Sequence, residues 1–280
     1  MRTPNAYLIH ILVVMGFLTT LFSCSPNRTT GKSLPSVNLA DLQSVKTEVE
    51  MVKIEGNKYL PFYGNDTILV EVEDFLLDER PVTHREFLEF VRQNPQWRKS
   101  TVKRLFADED YLKDWPSDLA LPKGVDPESP VVFVSWFAAR AYAKSAGKRL
   151  PTLDEWELIA LADENKKDAR DEPHYSEEII DLYNQKYREK GKVMESDPNI
   201  YGVYNVFDLV WEWTEDFNSI MVTSDSRNSK YDDKGLFCAA GATSATDKLN
   251  YAAFMRYAMR ASLKADYSVA NLGFRCAKDL

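Results

Sequence analysis

Few residues of this chain could carry out redox or metal chemistry. Its 280 residues include three cysteines and three histidines, namely Cys24, Cys238, Cys276, His10, His84 and His174. Thiolates hold soft ions such as Cu(I), and imidazoles bind zinc and non-haem iron. The histidines lack the short spacing of a zinc motif, so a metal centre built on histidine is not expected. The chemistry of the chain therefore depends on its thiols, above all on Cys276 near the C-terminus.

The charge balance narrows the class of partner. The formal net charge is -8 at pH 7. A protein that binds the nucleic-acid backbone needs a basic footprint, so no nucleic-acid partner is expected. The length of 280 residues fits one large domain or two small ones, and the 44% of hydrophobic residues is enough to form a sizeable core.

The N-terminal segment has the pattern of an export signal. An apolar run from Tyr7 to Phe22 ends at the sequence LFSC, whose cysteine is Cys24. The run is as long as a signal-peptide core and short for a membrane span. A small residue before a cysteine is typical of bacterial lipoproteins, so we predict cleavage before Cys24 and its lipidation; an ordinary signal peptide or an uncleaved anchor are the alternatives. The predicted divisions are a signal peptide (1–23), a flexible tether (24–48) and a globular domain (49–280).

Capping patterns predict the helices. Thr83 with Glu86 and Thr152 with Glu155 form capping boxes, and Ser135 is a candidate N-cap for a helix through residue 146. The segment YAAFMRYAMRASL also has a helical period. Strands are predicted in MVKIEGNKYLPF, TILVEVEDFLLD, VVFV, GLFCAAGATS and NLGFRCAK. Many short strands with a few helices indicate an irregular α+β domain.

Two further segments have alternative interpretations. Residues 163–199 are strongly charged and are predicted to be a solvated insertion with some helix, or else a flap that binds a partner. Trp211 and Trp213 flank Glu212 and are predicted to lie on one side of a strand. They form either a core pair, with Glu212 bridging to backbone or to an arginine, or the wall of a binding site.

Five segments together resemble the formylglycine-generating enzyme (sulfatase-modifying factor) family. In chain order they are MVKIEGNKYLPF, DERPVTHREFLEFV, SPVVFVSWFAARAYAKSAGKRLPTLDEWELIA, YGVYNVFDLVWEWTEDF and NLGFRCA. The resemblance covers roughly residues 50 to 279, and AGKRLPTLDEWE is its most specific part. It implies a single irregular α+β domain with a C-type-lectin-like core.

The residues of the family's redox chemistry are missing. The resemblance implies oxidation of a sulfatase cysteine to formylglycine, with copper held by two cysteines five positions apart before the final NLGFRC. Those positions correspond to Asp247 and Ala252, and no cysteine occurs from Ala239 to Leu263. The histidines of the family's iron-dependent relatives are also absent. We therefore lean towards a domain that is not an enzyme.

The resemblance also implies a role for the remaining thiols. Cys276 matches the family's terminal cysteine, whose usual partner position is Ala143 here. Cys238 is then the remaining candidate, and a Cys238–Cys276 disulfide would close a loop of about 38 residues, worth roughly 3–4 kcal/mol. A copper site formed by the same two thiols is the alternative.

Calcium is a second cofactor that the sequence leaves open, besides copper. Asp208 and Glu212 lie in an oxygen-rich segment, where they could bind calcium or cap turns and flank the tryptophans. The resemblance implies a calcium site beside a G-N-V-W-E-W motif. Here Asp208 and Leu209 replace the glycine and asparagine, which removes one ligand that Asp208 could partly replace.

The resemblance suggests a binding or assembly module on an envelope lipoprotein, anchored by lipid and facing the periplasm or the cell surface. Such domains recur in bacterial envelope lipoproteins, so an envelope protein is the expected partner. One alternative is a maturation factor that oxidises or metallates a partner, such as a sulfatase or a copper nitrite reductase. Another, by fold analogy, is a lectin-like module that binds sugar or peptide. The family's binding groove lies near the final segment, where Arg256, Arg260 and Asn271 are the candidate residues. For the arginines, a structural ion pair is the alternative.

Overall fold

The first strands of the domain are shorter than the sequence predicts. The computed structural model describes residues 49–61, 69–172, 174–184, 191–218 and 248–280. Two predicted strands appear as four short ones, which are β1 (Met51–Ile54), β2 (Lys58–Tyr59), β3 (Val70–Glu71) and β4 (Phe75–Asp78). A turn at Gly56 separates β1 from β2, and the Gly56 N–H donates to Asp74 Oδ1 over 2.8 Å. A Cβ at Gly56 would lie 2.2 Å from the Val72 carbonyl oxygen, so only glycine fits there.

Strand β4 is the centre of a three-stranded sheet. It pairs antiparallel with β1 on one edge and with β7 (Ala277–Asp279) on the other. Strands β2 and β3 form a separate antiparallel pair. The sheet therefore joins the beginning of the domain to its last residues.

The three capped helices form where the sequence predicts them. They are α1 (His84–Gln93), α2 (Trp136–Ser145) and α3 (Leu153–Ile159). Both predicted capping boxes are present, and Ser135 accepts from the Ala138 N–H at the start of α2. Gly147 follows α2 with a φ of 68°, the left-handed conformation common after a helix C-terminus.

Two further helices pack against each other. Helix α4 (Tyr175–Asn184) lies within the charged insertion, and α5 (Lys248–Ala261) covers the segment with a helical period. Ile179 of α4 and Tyr257 of α5 are both buried. At least this helix of the insertion is therefore part of the packed domain.

The prediction that VVFV forms a strand is wrong. Val131, Val132 and Val134 are buried as expected, but they form no strand. Phe133 has a φ of 57°, which turns the backbone out of the extended conformation. The segment instead bonds to several neighbours, with Val131 N–H donating to the Val82 carbonyl and Phe133 N–H to the Val269 carbonyl.

The C-terminal segment closes the domain. The predicted strand NLGFRCAK appears as β6 (Leu272–Gly273) and β7, and β6 pairs in parallel with β5 (Trp211–Glu212). Gly273 approaches its neighbours closely, since a Cβ there would lie 2.7 Å from the Val131 carbonyl oxygen. Trp213 is fully buried in the main core and Trp211 packs against it, which confirms the core interpretation of this pair.

Helices and small sheets thus share one domain, and the predicted α+β class is confirmed. Within the described residues, no helix has the length and apolar character needed to cross a membrane. The predicted signal peptide, tether and lipidated Cys24 lie outside the described residues, as does the predicted strand GLFCAAGATS, so these remain predictions.

Candidate functional site

Arg256 and Arg260, two of the predicted groove residues, pair with one buried carboxylate. Arg256 donates to Glu157 from Nε to Oε1 over 3.0 Å and from Nη2 to Oε2 over 2.7 Å. Arg260 Nη1 donates to Glu157 Oε1 over 2.8 Å. The three residues retain at most 4% exposure, so they do not line an open groove. We call them the Glu157 cluster.

Aromatic rings surround the Glu157 cluster. The Arg260 guanidinium lies 4.5 Å from the centre of the Trp156 ring, and that of Arg256 lies 5.7 Å from the centre of the Phe207 ring. Burial disfavours the charged form of Glu157, but the two guanidinium groups outweigh it and lower the pKa of Glu157 below 4.5. The cluster is therefore a charged, closed link between α3 and α5.

Asn271, the third predicted groove residue, has different contacts. It is exposed, and its carbonyl accepts a 2.8 Å hydrogen bond from the Trp211 N–H. Among the described residues, no hydrogen bond connects its side chain to the Glu157 cluster. The structure thus brings the two arginines together without Asn271.

Glu212, a predicted calcium ligand, is bound to protein groups. Arg275 donates to it from Nε to Oε2 and from Nη2 to Oε1, each over 2.8 Å. Trp156 Nε1 donates to Glu212 Oε2 over 2.9 Å. Both residues of this ion pair are almost completely buried. Glu212 thus bridges to an arginine, in agreement with the interpretation of Trp211 and Trp213 as a core pair.

Asp208, the other predicted calcium ligand, has one oxygen engaged. Its Oδ2 accepts from Asn205 Nδ2 over 2.9 Å, whereas its Oδ1 is buried and has no hydrogen-bond partner among the described residues. In the described part of the chain, no three carboxylate, histidine or cysteine side chains converge as they would around a metal ion. The calcium site remains a prediction.

Cys276 occupies an unreactive environment. Its thiol is free and fully buried, and its N–H donates to Asp78 Oδ2 over 3.0 Å. Lys148 Nζ contacts the other Asp78 oxygen over 2.6 Å. Burial and the Asp78 carboxylate raise the pKa of Cys276 well above 9, so the thiol stays protonated. Cys238, its predicted disulfide partner, lies outside the described residues, so the disulfide remains a prediction.

A cleft that the sequence did not predict opens beside helix α4. It has a volume of 650 Å³ and lies between α4, residues 162–164 and the segment 196–209. Five carboxylates line it, those of Asp163, Glu164, Glu178, Asp197 and Asp208. No lysine, arginine or histidine is among the described residues that line it. The sequence shows that residues 163–199 are charged, but only the fold shows that several of their carboxylates line the same cleft.

The floor of this acidic cleft is apolar. Ile179 and Leu182 come from α4, and Val206, Phe207 and Leu209 come from the opposite segment. The Phe207 ring also contacts Arg256, so it separates the cleft from the Glu157 cluster. An apolar floor with a carboxylate rim suits a ligand that is itself both apolar and basic.

Comparisons with known proteins indicate the relationships of the chain. Residues 39–280 match the family model described as the sulfatase-modifying factor enzyme 1-like domain. A formylglycine-generating enzyme from Bos taurus is 32% identical over 251 residues, which cover 75% of this chain and 67% of that protein. An inactive C-alpha-formylglycine-generating enzyme 2 from Bos taurus is 28% identical over 245 residues, with coverages of 74% and 78%.

A search of solved structures gave a weaker likeness. The structure of PvdO from Pseudomonas aeruginosa aligns with a TM-score of 0.48 and 19% identity, covering 84% of this chain and 96% of that one.

Proposed function

The chain belongs to the sulfatase-modifying factor family, and on that premise we propose that it is a non-catalytic binding module carried by a bacterial envelope lipoprotein. The domain would associate with an envelope protein and contribute to an assembly. The lipid on Cys24 would hold it at the membrane, facing the periplasm or the cell surface. No nucleic acid is involved, in keeping with the net charge of -8.

The cysteine content of the chain carries this proposal. The segment from Ala239 to Leu263 contains no cysteine, although the family's copper-binding pair belongs there. In the structure, this segment includes all of α5, whose Arg256 and Arg260 are held by Glu157. Cys276 is fully buried, and burial together with the Asp78 carboxylate raises its pKa, which disfavours the thiolate that would bind Cu(I).

The named relatives are compatible with this proposal. Similar proteins include one named as an enzyme and one named as its inactive counterpart. The family fold therefore does not by itself imply activity, and function has to be argued from the residues present.

A maturation factor is the second candidate, favoured by the 32% identity to a formylglycine-generating enzyme. Such a factor would oxidise or metallate its partner. Here its copper would have to be held by Cys238 and Cys276, the two thiols that remain after lipidation of Cys24. This role requires Cys276 to leave its buried environment or to be deprotonated within it.

A direct assay separates the two candidates. The purified chain is incubated with a sulfatase-derived peptide thiol, oxygen and Cu(I), and aldehyde formation is followed by mass spectrometry. We expect no aldehyde, whereas a formylglycine-generating enzyme assayed in parallel gives complete conversion. Aldehyde formation that disappears in Cys276→Ser would overturn the proposal and support the maturation factor.

The membrane attachment is tested separately. Incorporation of labelled fatty acid into the wild-type chain, and its loss in Cys24→Ala, would support the lipoprotein assignment. Equal labelling of both chains, or no labelling of either, would contradict it. Cross-linking in intact cells then asks whether the anchored domain contacts an envelope protein.

A further inference from the structure

The acidic cleft has carboxylates without partners inside the domain. Glu164, Glu178 and Asp197 are exposed on its rim, and within the described ranges their side chains take part in no hydrogen bond or ion pair. Asp208 adds its buried Oδ1, which accepts no hydrogen bond from the described part of the chain. Asp163 is different, because its carboxylate already accepts from the N–H groups of Asn165 and Lys166.

The nearby basic residues are already paired elsewhere. Lys166 pairs with Glu172, and Lys167 with Glu55 over 2.5 Å. Lys192 contacts Asp126 over 3.1 Å. Lys166 also interacts electrostatically with Asp163, but within the described residues none of these cations pairs with Glu164, Glu178 or Asp197.

The arrangement of the carboxylates favours an extended cation over a metal ion. Within the described residues, they do not converge into a group that could hold a metal. They are instead distributed around an apolar floor that includes Leu182, Val206 and Leu209. A cleft of 650 Å³ holds a few side chains, not a folded domain.

We propose that this cleft binds a short protein segment in which lysine or arginine alternates with apolar residues. The apolar side chains would cover the floor, and the cationic groups would meet the carboxylates of Glu164, Glu178 and Asp197. The inference deepens the proposed binding function and rests on it for the existence of a protein partner. It assigns the contact to the charged insertion, away from the Glu157 cluster.

Matched triple variants test the assignment. The cleft variant carries Glu164→Gln, Glu178→Gln and Asp197→Asn. The control variant carries Glu73→Gln, Glu109→Gln and Asp181→Asn, three exposed positions that do not line the cleft. Both variants change the net charge equally, and Asp181 lies on the same helix as Glu178.

Binding is measured by fluorescence polarisation with the detergent-solubilised full chain. The probe is a labelled peptide in which lysine alternates with leucine, and two control peptides replace either lysine by glutamate or leucine by serine. Three exposed ion pairs at about 0.5 kcal/mol each correspond to about a tenfold loss of affinity in the cleft variant. The control variant should bind as the wild type does, and both control peptides should bind weakly.

Two outcomes would overturn the inference. One is that the wild type fails to bind the lysine–leucine peptide. The other is an equal loss of affinity in the cleft and control variants, which would indicate general attraction to an acidic protein. This peptide assay can be carried out without knowing the natural partner.

Cross-linking in cells distinguishes this inference from the proposed function. If the cleft variant captures the same envelope protein as the wild type and to the same extent, the inference fails and the binding function stands. If the wild type captures no envelope protein, the proposed function fails. Selective loss of capture in the cleft variant supports both.

Discussion

The Glu157 cluster and the acidic cleft are both charged regions next to Phe207, but they differ in burial and in the partners of their carboxylates. In the Glu157 cluster, one buried carboxylate is shared by Arg256 and Arg260, and both of its oxygens are engaged. In the cleft, exposed carboxylates surround an apolar floor and meet no cation from the described residues. The first region pairs its carboxylate with cations inside the fold, whereas the rim carboxylates of the second pair with no described residue.

This difference distinguishes charges that stabilise the fold from charges that are available to bind a partner. Removing one partner of a buried ion pair leaves an uncompensated charge in a poorly solvated site. Removing an exposed, unpaired carboxylate changes little inside the protein, because water already solvates it. The two regions should therefore respond differently to neutral substitutions of the same kind, in stability and in binding.

The largest expected effect is that of Glu157→Gln. The substitution keeps the shape of the side chain but leaves Arg256 and Arg260 buried without a counter-charge. We expect the free energy of unfolding to fall by about 3–5 kcal/mol, measured by urea denaturation followed by tryptophan fluorescence. Glu178→Gln, which changes the same residue type on the cleft rim, serves as the control. Equal stability of the two variants would show that the Glu157 cluster does not hold α5 in place.

The pH dependence of stability tests whether Glu157 is stabilised in its charged form. The two arginines lower the pKa of Glu157 in the folded state below its usual value of 4.5. A carboxylate with a depressed folded pKa stabilises the fold above its unfolded pKa, and the contribution is lost as the pH falls through the folded value. The stability difference between wild type and Glu157→Gln should thus be constant above about pH 5 and shrink below pH 4.5. Urea denaturation across this range measures it, and a difference that instead shrinks towards high pH would contradict the assignment.

Local sequence patterns predicted the helices that carry these regions. Thr83 with Glu86 and Thr152 with Glu155 position α1 and α3 correctly, because a capping box depends on residues three positions apart. The helical period also identified α5. The strand prediction for VVFV was wrong, because Phe133 adopts a left-handed conformation that apolar residues in a row do not reveal.

The sites themselves depend on long-range contacts. Glu157 lies 99 residues from Arg256 in sequence, and Glu212 lies 63 residues from Arg275. No local pattern indicates such partners, although backbone or an arginine was one interpretation for Glu212 and a structural ion pair was the alternative for Arg256. The acidic cleft was not predicted at all, because its walls come from three separate stretches of the chain, of which the last extends beyond the charged segment to Leu209.

The smallest expected effect on stability belongs to the triple cleft variant. Glu164, Glu178 and Asp197 are exposed and unpaired within the described chain, so replacing them by neutral isosteres removes no internal contact. We expect the free energy of unfolding to change by less than about 0.5 kcal/mol, with a slight gain where like charges repel. The same urea experiment applies, with the Glu73, Glu109 and Asp181 triple variant as reference. A loss of several kcal/mol would mean that the rim carboxylates bind something within the chain. Unchanged stability together with weakened peptide binding would instead separate the two kinds of charged region.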